Sequence, residues 1–184
     1  MADTYHHGDL RAQVLSSAAE LIDEVGADGI SLRELARRAG VSHAAPAHHF
    51  GDRKGLLTAL AARGFDLLAD ALLASVEGER FDLTAVAYVN FAVTHRGYYA
   101  VMFRPDLLDG ENAALVAAQS QALKRLEDGL ATVSADRVRV DEEDARRSAW
   151  ALVHGLASLI NAGVLPGDDP ESLVRAGARQ LFGE

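Results

Sequence analysis

Residues 30–54 read ISLRELARRAGVSHAAPAHHFGDRK, and the parsing of this stretch decides the rest of the chain. Ser31 followed three residues later by Glu34 is a capping box, in which the serine hydroxyl accepts from the amide of the third helical residue. Ile30 and Leu35 stand at the two positions of a hydrophobic staple around that start. The helix so begun turns Leu32, Leu35 and Ala36 inward and leaves Arg33, Arg37 and Arg38 outside. Gly40 stops it, because glycine enters the left-handed conformation without steric penalty. Only Val41 separates that glycine from Ser42, which reads as the N-cap of a second short helix reaching His49. Two short helices joined by a three- to four-residue turn containing glycine form a helix-turn-helix. With Ser42 as N-cap, Pro46 falls at the fourth helical position, the first whose amide would bond within the helix. Its expected cost is therefore smaller than the ~3 kcal/mol of a proline deep in a helix.

The same 3.6-residue periodicity extends outward in both directions. Upstream, a helix from Asp9 as N-cap to Val25 carries Val14, Ala18, Leu21, Ile22 and Val25 on one face and ends at Gly26. Downstream, Asp52 caps a long helix reaching about Val76, with Leu57, Leu60, Phe65, Leu68, Leu72 and Val76 inward. After Gly78 the pattern resumes over Leu83–Val93, breaks at Arg96-Gly97, and restarts with Tyr98-Tyr99 through Phe103 before Pro105. Helices follow over about 111–132, from the acidic turn Asp141–Asp144 to Val164 before Pro166-Gly167, and from Asp169 as N-cap with Pro170 behind it to Phe182. No segment alternates like a strand. The expected fold is all-α, about nine helices: a three-helix domain with a helix-turn-helix over 1–52, packed on a helical domain over 53–184.

Composition narrows the function classes. The 184 residues are 49% hydrophobic and 24% charged, enough to bury a core. There is no cysteine, which excludes disulfides, thiolate zinc sites and a cysteine nucleophile. The opening residues MADTYHH lack the basic-then-apolar order of a signal peptide. No apolar run nears the ~20 residues that span a bilayer, so no membrane partner and a cytoplasmic location are expected. The net charge of −9 argues at first against nucleic acid. The first 50 residues hold four arginines against seven acids, so any DNA contact depends on where the charges sit. They also hold His6, His7, His43, His48 and His49, and histidine can become cationic near neutral pH. His43, His48 and His49 lack the i,i+3 or i,i+4 spacing of metal ligands on one helix, and no nucleophile elbow, phosphate loop or dinucleotide fingerprint is present. No metal, cofactor or catalytic residue is expected, nor an enzyme.

The order of a long helix, SLRELARRAGVS, a short helix ending in His-Phe, and then DRKGLLTAL resembles the TetR/AcrR family of bacterial transcriptional regulators. Further on, Trp150-Ala151-Leu152-Val153-His154-Gly155 is similar to the Trp-His-Gly signature of one C-terminal subclass of that family. The resemblance implies a homodimer that inserts one reading helix per protomer into successive major grooves of a palindromic double-stranded operator. It also implies repression relieved by a small-molecule effector. By the family's pattern the reader is Ser42–His49, with Ser42, His43, Ala44, Ala47 and His48 as contact residues and Ser31, Arg33 and Lys54 as flanking contacts, mostly to phosphate. His6, His7 and Arg11 are further candidates for the backbone. The chain departs from the family in having Ala47 where an aromatic is usual and Pro46 where a leucine is.

In the C-terminal part, Phe91, His95, Tyr98, Tyr99, Met102, Phe103, Trp150 and His154 are either the lining of an effector pocket or core. His154 is either a satisfied core histidine or the group that orients a ligand. The last two helices are apolar around much of their circumference, with Ala149, Leu152, Val153, Leu156, Leu159, Ile160 and Leu181 proposed for a dimer interface. A monomer with a deep core is the alternative there. For the whole chain, the alternative to a regulator is an all-α carrier or enzyme that keeps the helix-turn-helix as scaffold.

Overall fold

The computed structural model describes residues 4–76, 81–138, 140–165 and 169–182, and only the backbone of residues 4–9, Val76 and Phe81. Nine α-helices occur among them: α1 (Thr4–Val25), α2 (Leu32–Arg38), α3 (Ala45–Phe50), α4 (Arg53–Val76), α5 (Phe81–Thr94), α6 (Arg96–Met102), α7 (Ala113–Leu130), α8 (Glu142–Asn161) and α9 (Pro170–Phe182). Most boundaries lie where the capping signals put them. The expected breaks at Gly78 and Pro166-Gly167 lie outside the described residues. α1 is the main departure: it begins at Thr4, so Asp9 is inside the helix and not its cap.

The chain forms two compact units. The first comprises Met1–Phe65 and His95–Ala118, the second Asp66–Thr94 and Gln119–Glu184. α4 and α7 each contribute to both.

In the first unit α1 buries Val14, Ala18, Leu21 and Ile22, joined by Leu35 and Ala36 of α2, Phe50 of α3, Leu56, Leu57 and Leu60 of α4, and Val101 and Met102 of α6. α6 lies so close to α1 that a Cβ at Gly97 would sit 1.9 Å from the Ala19 carbonyl oxygen. The Thr58 hydroxyl, 2% exposed, donates to the Lys54 carbonyl at 2.8 Å and accepts from the Asp109 amide at 2.9 Å, tying α4 to the loop after α6. The short 3₁₀ turn Ala27–Gly29 after α1 is held by two arginines. Arg53 donates to the Ala27 carbonyl at 2.7 Å, and Arg104 pairs with Asp28 at 3.4 Å and with Asp106 at 2.8 Å.

In the second unit α5, α8 and α9 pack together. α5 buries Ala85, Tyr88, Val89 and Ala92. α8 starts on Asp141, whose carboxylate accepts from the Asp144 amide at 3.0 Å, and α9 on Asp169, which accepts from the Ser172 amide at 3.0 Å. Ala145, Ala149, Val153, Ala157 and Ile160 form the buried stripe of α8, and Val174, Ala178 and Phe182 that of α9. Asn161 donates to the Ala92 carbonyl at 3.0 Å, closing the end of α8 onto α5, and Arg175 of α9 forms an ion pair with Asp82 of α5.

Candidate nucleic-acid interface

α2 starts as its sequence dictates: Ser31 is extended and its hydroxyl oxygen accepts from the Glu34 amide at 3.2 Å. The hydroxyl proton remains free to donate outward, since a serine oxygen both donates and accepts. The helix ends in a Schellman turn. Val41 N–H bonds the Ala36 carbonyl at 3.0 Å, Gly40 N–H bonds the Arg37 carbonyl at 3.3 Å, and Gly40 takes φ +65°.

The start of α3 differs from its sequence expectation. Ser42 is not its N-cap: the Ser42 carbonyl accepts from the Ala45 amide at 3.0 Å, closing a turn, and Ala44 (φ −82°, ψ −20°) is the residue before the helix. Pro46 therefore lies in the first turn, where a helix has no use for an amide proton. The first bond that α3 requires, His48 N–H to the Ala44 carbonyl, is made at 2.9 Å.

Helical spacing then sorts the short helix into two faces. Pro46 and Phe50 are buried and Ala45 and His49 half-buried, whereas Ser42, His43, Ala44, Ala47 and His48 are exposed. The five proposed reading residues are thus all exposed, Ala47 and His48 on α3 and the other three in the turn before it. The His48 and His49 rings meet edge to face with centroids 5.5 Å apart, and the Arg11 guanidinium lies over Phe50, 5.3 Å from the ring centre. The side chains of His6 and His7 lie outside the described residues.

The charges around this face are divided between committed and uncommitted ones. Arg37 holds the Glu34 carboxylate through two bonds of 2.9 and 2.5 Å, and Arg38 holds Glu24 through two of 2.6 and 2.5 Å. Each guanidinium keeps its carboxyl below the usual carboxylate range by hydrogen bonding to it. Arg33 and Lys54 are exposed and have no ion-pair partner among the described residues. Lys54 is held in the first turn of α4, which Asp52 caps by accepting from the Gly55 amide at 2.8 Å. Sequence reasoning treated Arg33, Arg37 and Arg38 alike as exposed cations. The difference between them rests on Glu24, fourteen residues away from Arg38, and on which arginine of α2 Glu34 turns toward.

Comparison with known proteins gives the family. The family of bacterial regulatory proteins of the tetR type matches residues 14–60, and the tetracyclin repressor-like C-terminal domain matches residues 81–181. The chain belongs to the TetR family of transcriptional regulators. Members of the TetR family are DNA-binding regulators without enzymatic activity, which sets aside the carrier-or-enzyme alternative. A Bacillus subtilis relative, the uncharacterized HTH-type transcriptional regulator YobS, is 31% identical over 96 residues, half of each chain, so the match spans half that regulator's length. Among solved structures, a protein of unknown function from Rhodococcus sp. RHA1 is 37% identical with a TM-score of 0.79, covering 98% of this chain and 97% of its own. AibR, solved in complex with isovaleryl coenzyme A and operator DNA, shares the fold at 21% identity and a TM-score of 0.73, with 95% and 98% covered.

The remaining sites proposed for this TetR-family chain are distributed unevenly. Of the pocket residues, His95, Tyr98, Tyr99, Met102 and Phe103 belong to the first unit, and Phe91, Trp150 and His154 to the second. Phe91, Tyr99 and Met102 are packed interior. Phe103 stacks edge-on against Phe65 and Tyr99 with centroids 5.5 and 5.4 Å apart. In the second unit the Tyr88 hydroxyl lies 3.1 Å from His154 Nδ1, Trp150 lies across the His154 ring at 5.9 Å, and partial burial pushes the imidazole pKa down. Sequence reasoning placed His154 but missed Tyr88, 66 residues away, because tyrosine on an apolar face reads as core. Of the dimer residues, Ala149, Val153 and Ile160 face the protomer's own interior. Leu152, Leu156 and Leu181 are half-buried, and Leu159 is exposed together with Trp150. Among the described residues no three His, Asp or Glu side chains are grouped to hold a metal ion.

Proposed function

We propose that this TetR-family regulator is a homodimeric repressor that binds a palindromic operator through the exposed face of α3 and releases it when a small molecule binds in the C-terminal part. The observation that carries the reading is the division of α3 and the turn before it into buried Pro46 and Phe50 and exposed Ser42, His43, Ala44, Ala47 and His48, flanked by the uncommitted cations Arg33 and Lys54. A helix held by its back and bare in front is how base edges are reached, while flanking cations fix the register on phosphates. AibR, with its operator and an acyl coenzyme A, supports an effector-responsive reading. The half-exposed face of α8 and α9, Leu152, Leu156, Leu159 and Leu181, is offered to the partner protomer. In this reading Trp150 and His154 of the second unit touch the effector. The described residues contain no helix long and apolar enough to cross a membrane, which fits action in the cytoplasm.

The test is selection of bound sequences from random duplex DNA, followed by binding measurements with Lys54→Ala. The reading predicts a symmetric consensus and weaker binding by the variant on every duplex. Equal binding to all sequences at low salt would overturn it.

A further inference from the structure

The side-chain chemistry of the α3 front restricts which bases it can recognise. Guanine is read best by the forked donors of arginine or by lysine, adenine by asparagine or glutamine, and cytosine by a carboxylate. None of these residue types occurs between Ser42 and Phe50. The exposed surface consists of the Ser42 hydroxyl, the imidazoles of His43 and His48, and the methyl groups of Ala44 and Ala47. Ala44 and Ala47 are three residues apart and so lie beside each other on the same front.

An alanine reaches a base edge only if the helix backbone itself comes close. Pro46 and Phe50 are turned inward, so the bulky groups left on this front are the imidazoles of His43, which precedes Ala44, and His48, which follows Ala47, with the two methyl groups between them in sequence. The base-pair feature that an aliphatic methyl can recognise in the major groove is the C5-methyl group of thymine.

We propose that Ala44 and Ala47 are specificity-determining residues that select thymine in each half-site by contact with its C5-methyl group. The inference rests on the operator-binding reading above and deepens it. Discrimination is by shape and desolvation: each buried methyl strengthens binding about fourfold, or about fifteenfold when both halves of a palindrome carry it.

The experiment starts from the duplex selected on random DNA and replaces each half-site thymine by deoxyuridine, one symmetric pair at a time. Uracil keeps every hydrogen-bonding group and lacks only the methyl. Affinity is expected to fall about fifteenfold at one or two thymine positions and to be unchanged at the others. Ala44→Gly is the matched protein variant, chosen because Ala44 precedes α3 and glycine is accepted at such a position. It should bind the thymine and uracil duplexes equally at the position that Ala44 covers. Ala47→Ser, which keeps the helix, should lose discrimination at a second position. A selective consensus whose half-sites lack thymine, or thymine-to-uracil replacements that are all neutral, would overturn methyl reading and leave operator binding standing. Binding without any sequence preference would overturn both.

Discussion

The division of cations around α3 makes the salt dependence of DNA binding a quantitative test. Each phosphate neutralised on duplex DNA contributes about 0.9 to the slope of log affinity against log salt. Arg33 and Lys54 are uncommitted in each protomer, while Arg37 and Arg38 are each held by a carboxylate through two hydrogen bonds. A dimer therefore brings four cations, and a slope of about −3.6 is expected. Raising salt from 50 to 200 mM should weaken binding about 150-fold. Lys54→Ala removes two of the four, so its slope should flatten to about −1.8, with a loss of roughly twelvefold over the same range. Glu34→Gln releases Arg37 and removes a negative charge, so it should bind more tightly than the parent protein at low salt. Fluorescence anisotropy of a labelled operator duplex over a salt series measures all three. A parent slope of about −7 would mean that Arg37 and Arg38 abandon their carboxylates for phosphate. An unchanged slope in Lys54→Ala would remove Lys54 from the interface.

Three further outcomes test the fold and its interior. Gly97→Ala places a methyl against the backbone oxygen of Ala19, so it should destabilise the protein by at least the ~1–3 kcal/mol of an overpacked core; a loss under about 0.5 kcal/mol in urea denaturation would refute the close crossing of α1 and α6. Thr58→Val keeps the shape of the side chain but strands the Asp109 amide and removes the bond to Lys54, for an expected loss of about 1–3 kcal/mol in the same assay; no loss would mean that water replaces the hydroxyl. The His154 pKa is lowered in the folded protein, so the unfolded chain binds more protons there. The stabilising contribution of neutral His154 is present above the unfolded pKa of about 6.5 and is lost as pH falls through the folded value. The melting temperature should drop between pH 7.5 and 5.5, and drop less in His154→Gln; identical pH profiles would count against it.

What was legible in the sequence was local. Ser31, Gly40, Asp52, Asp141 and Asp169 each announce a helix end within four residues of themselves, and each acts where its chemistry places it. The start of α1 at Thr4 was not legible, since Asp9 is a good N-cap in isolation and nothing in Tyr5-His6-His7 marks a helix. Ser42 misled in the same way: its backbone is spent on a turn to Ala45, and a residue whose own carbonyl closes a turn leaves the capping position to Ala44. The exposed face of α3 could be read because it depends on spacing alone. The commitment of Arg38 to Glu24, the placing of Tyr88 against His154, and the grouping of 95–118 with the first 65 residues could not, because each joins parts of the chain that local pattern does not relate. For the same reason the apolar stripe of α8 could be found, but not that Ala149, Val153 and Ile160 turn toward α5 and α9's side of the protomer while Leu159 turns out.

The crossing of α6 over α1 has a kinematic consequence. Gly97 is the one position on α6 at which the absence of a side chain admits the Ala19 carbonyl, and its neighbours Arg96 and Tyr98 both carry a Cβ. Neighbours in sequence point about 100° apart around a helix, so the residues that return to Gly97's face are Ala100 and Val101, one turn on, and both carry a Cβ. Advancing α6 by a turn along α1 would bring one of those carbons to where a Cβ falls 1.9 Å from the carbonyl oxygen. The crossing is keyed to one turn of α6.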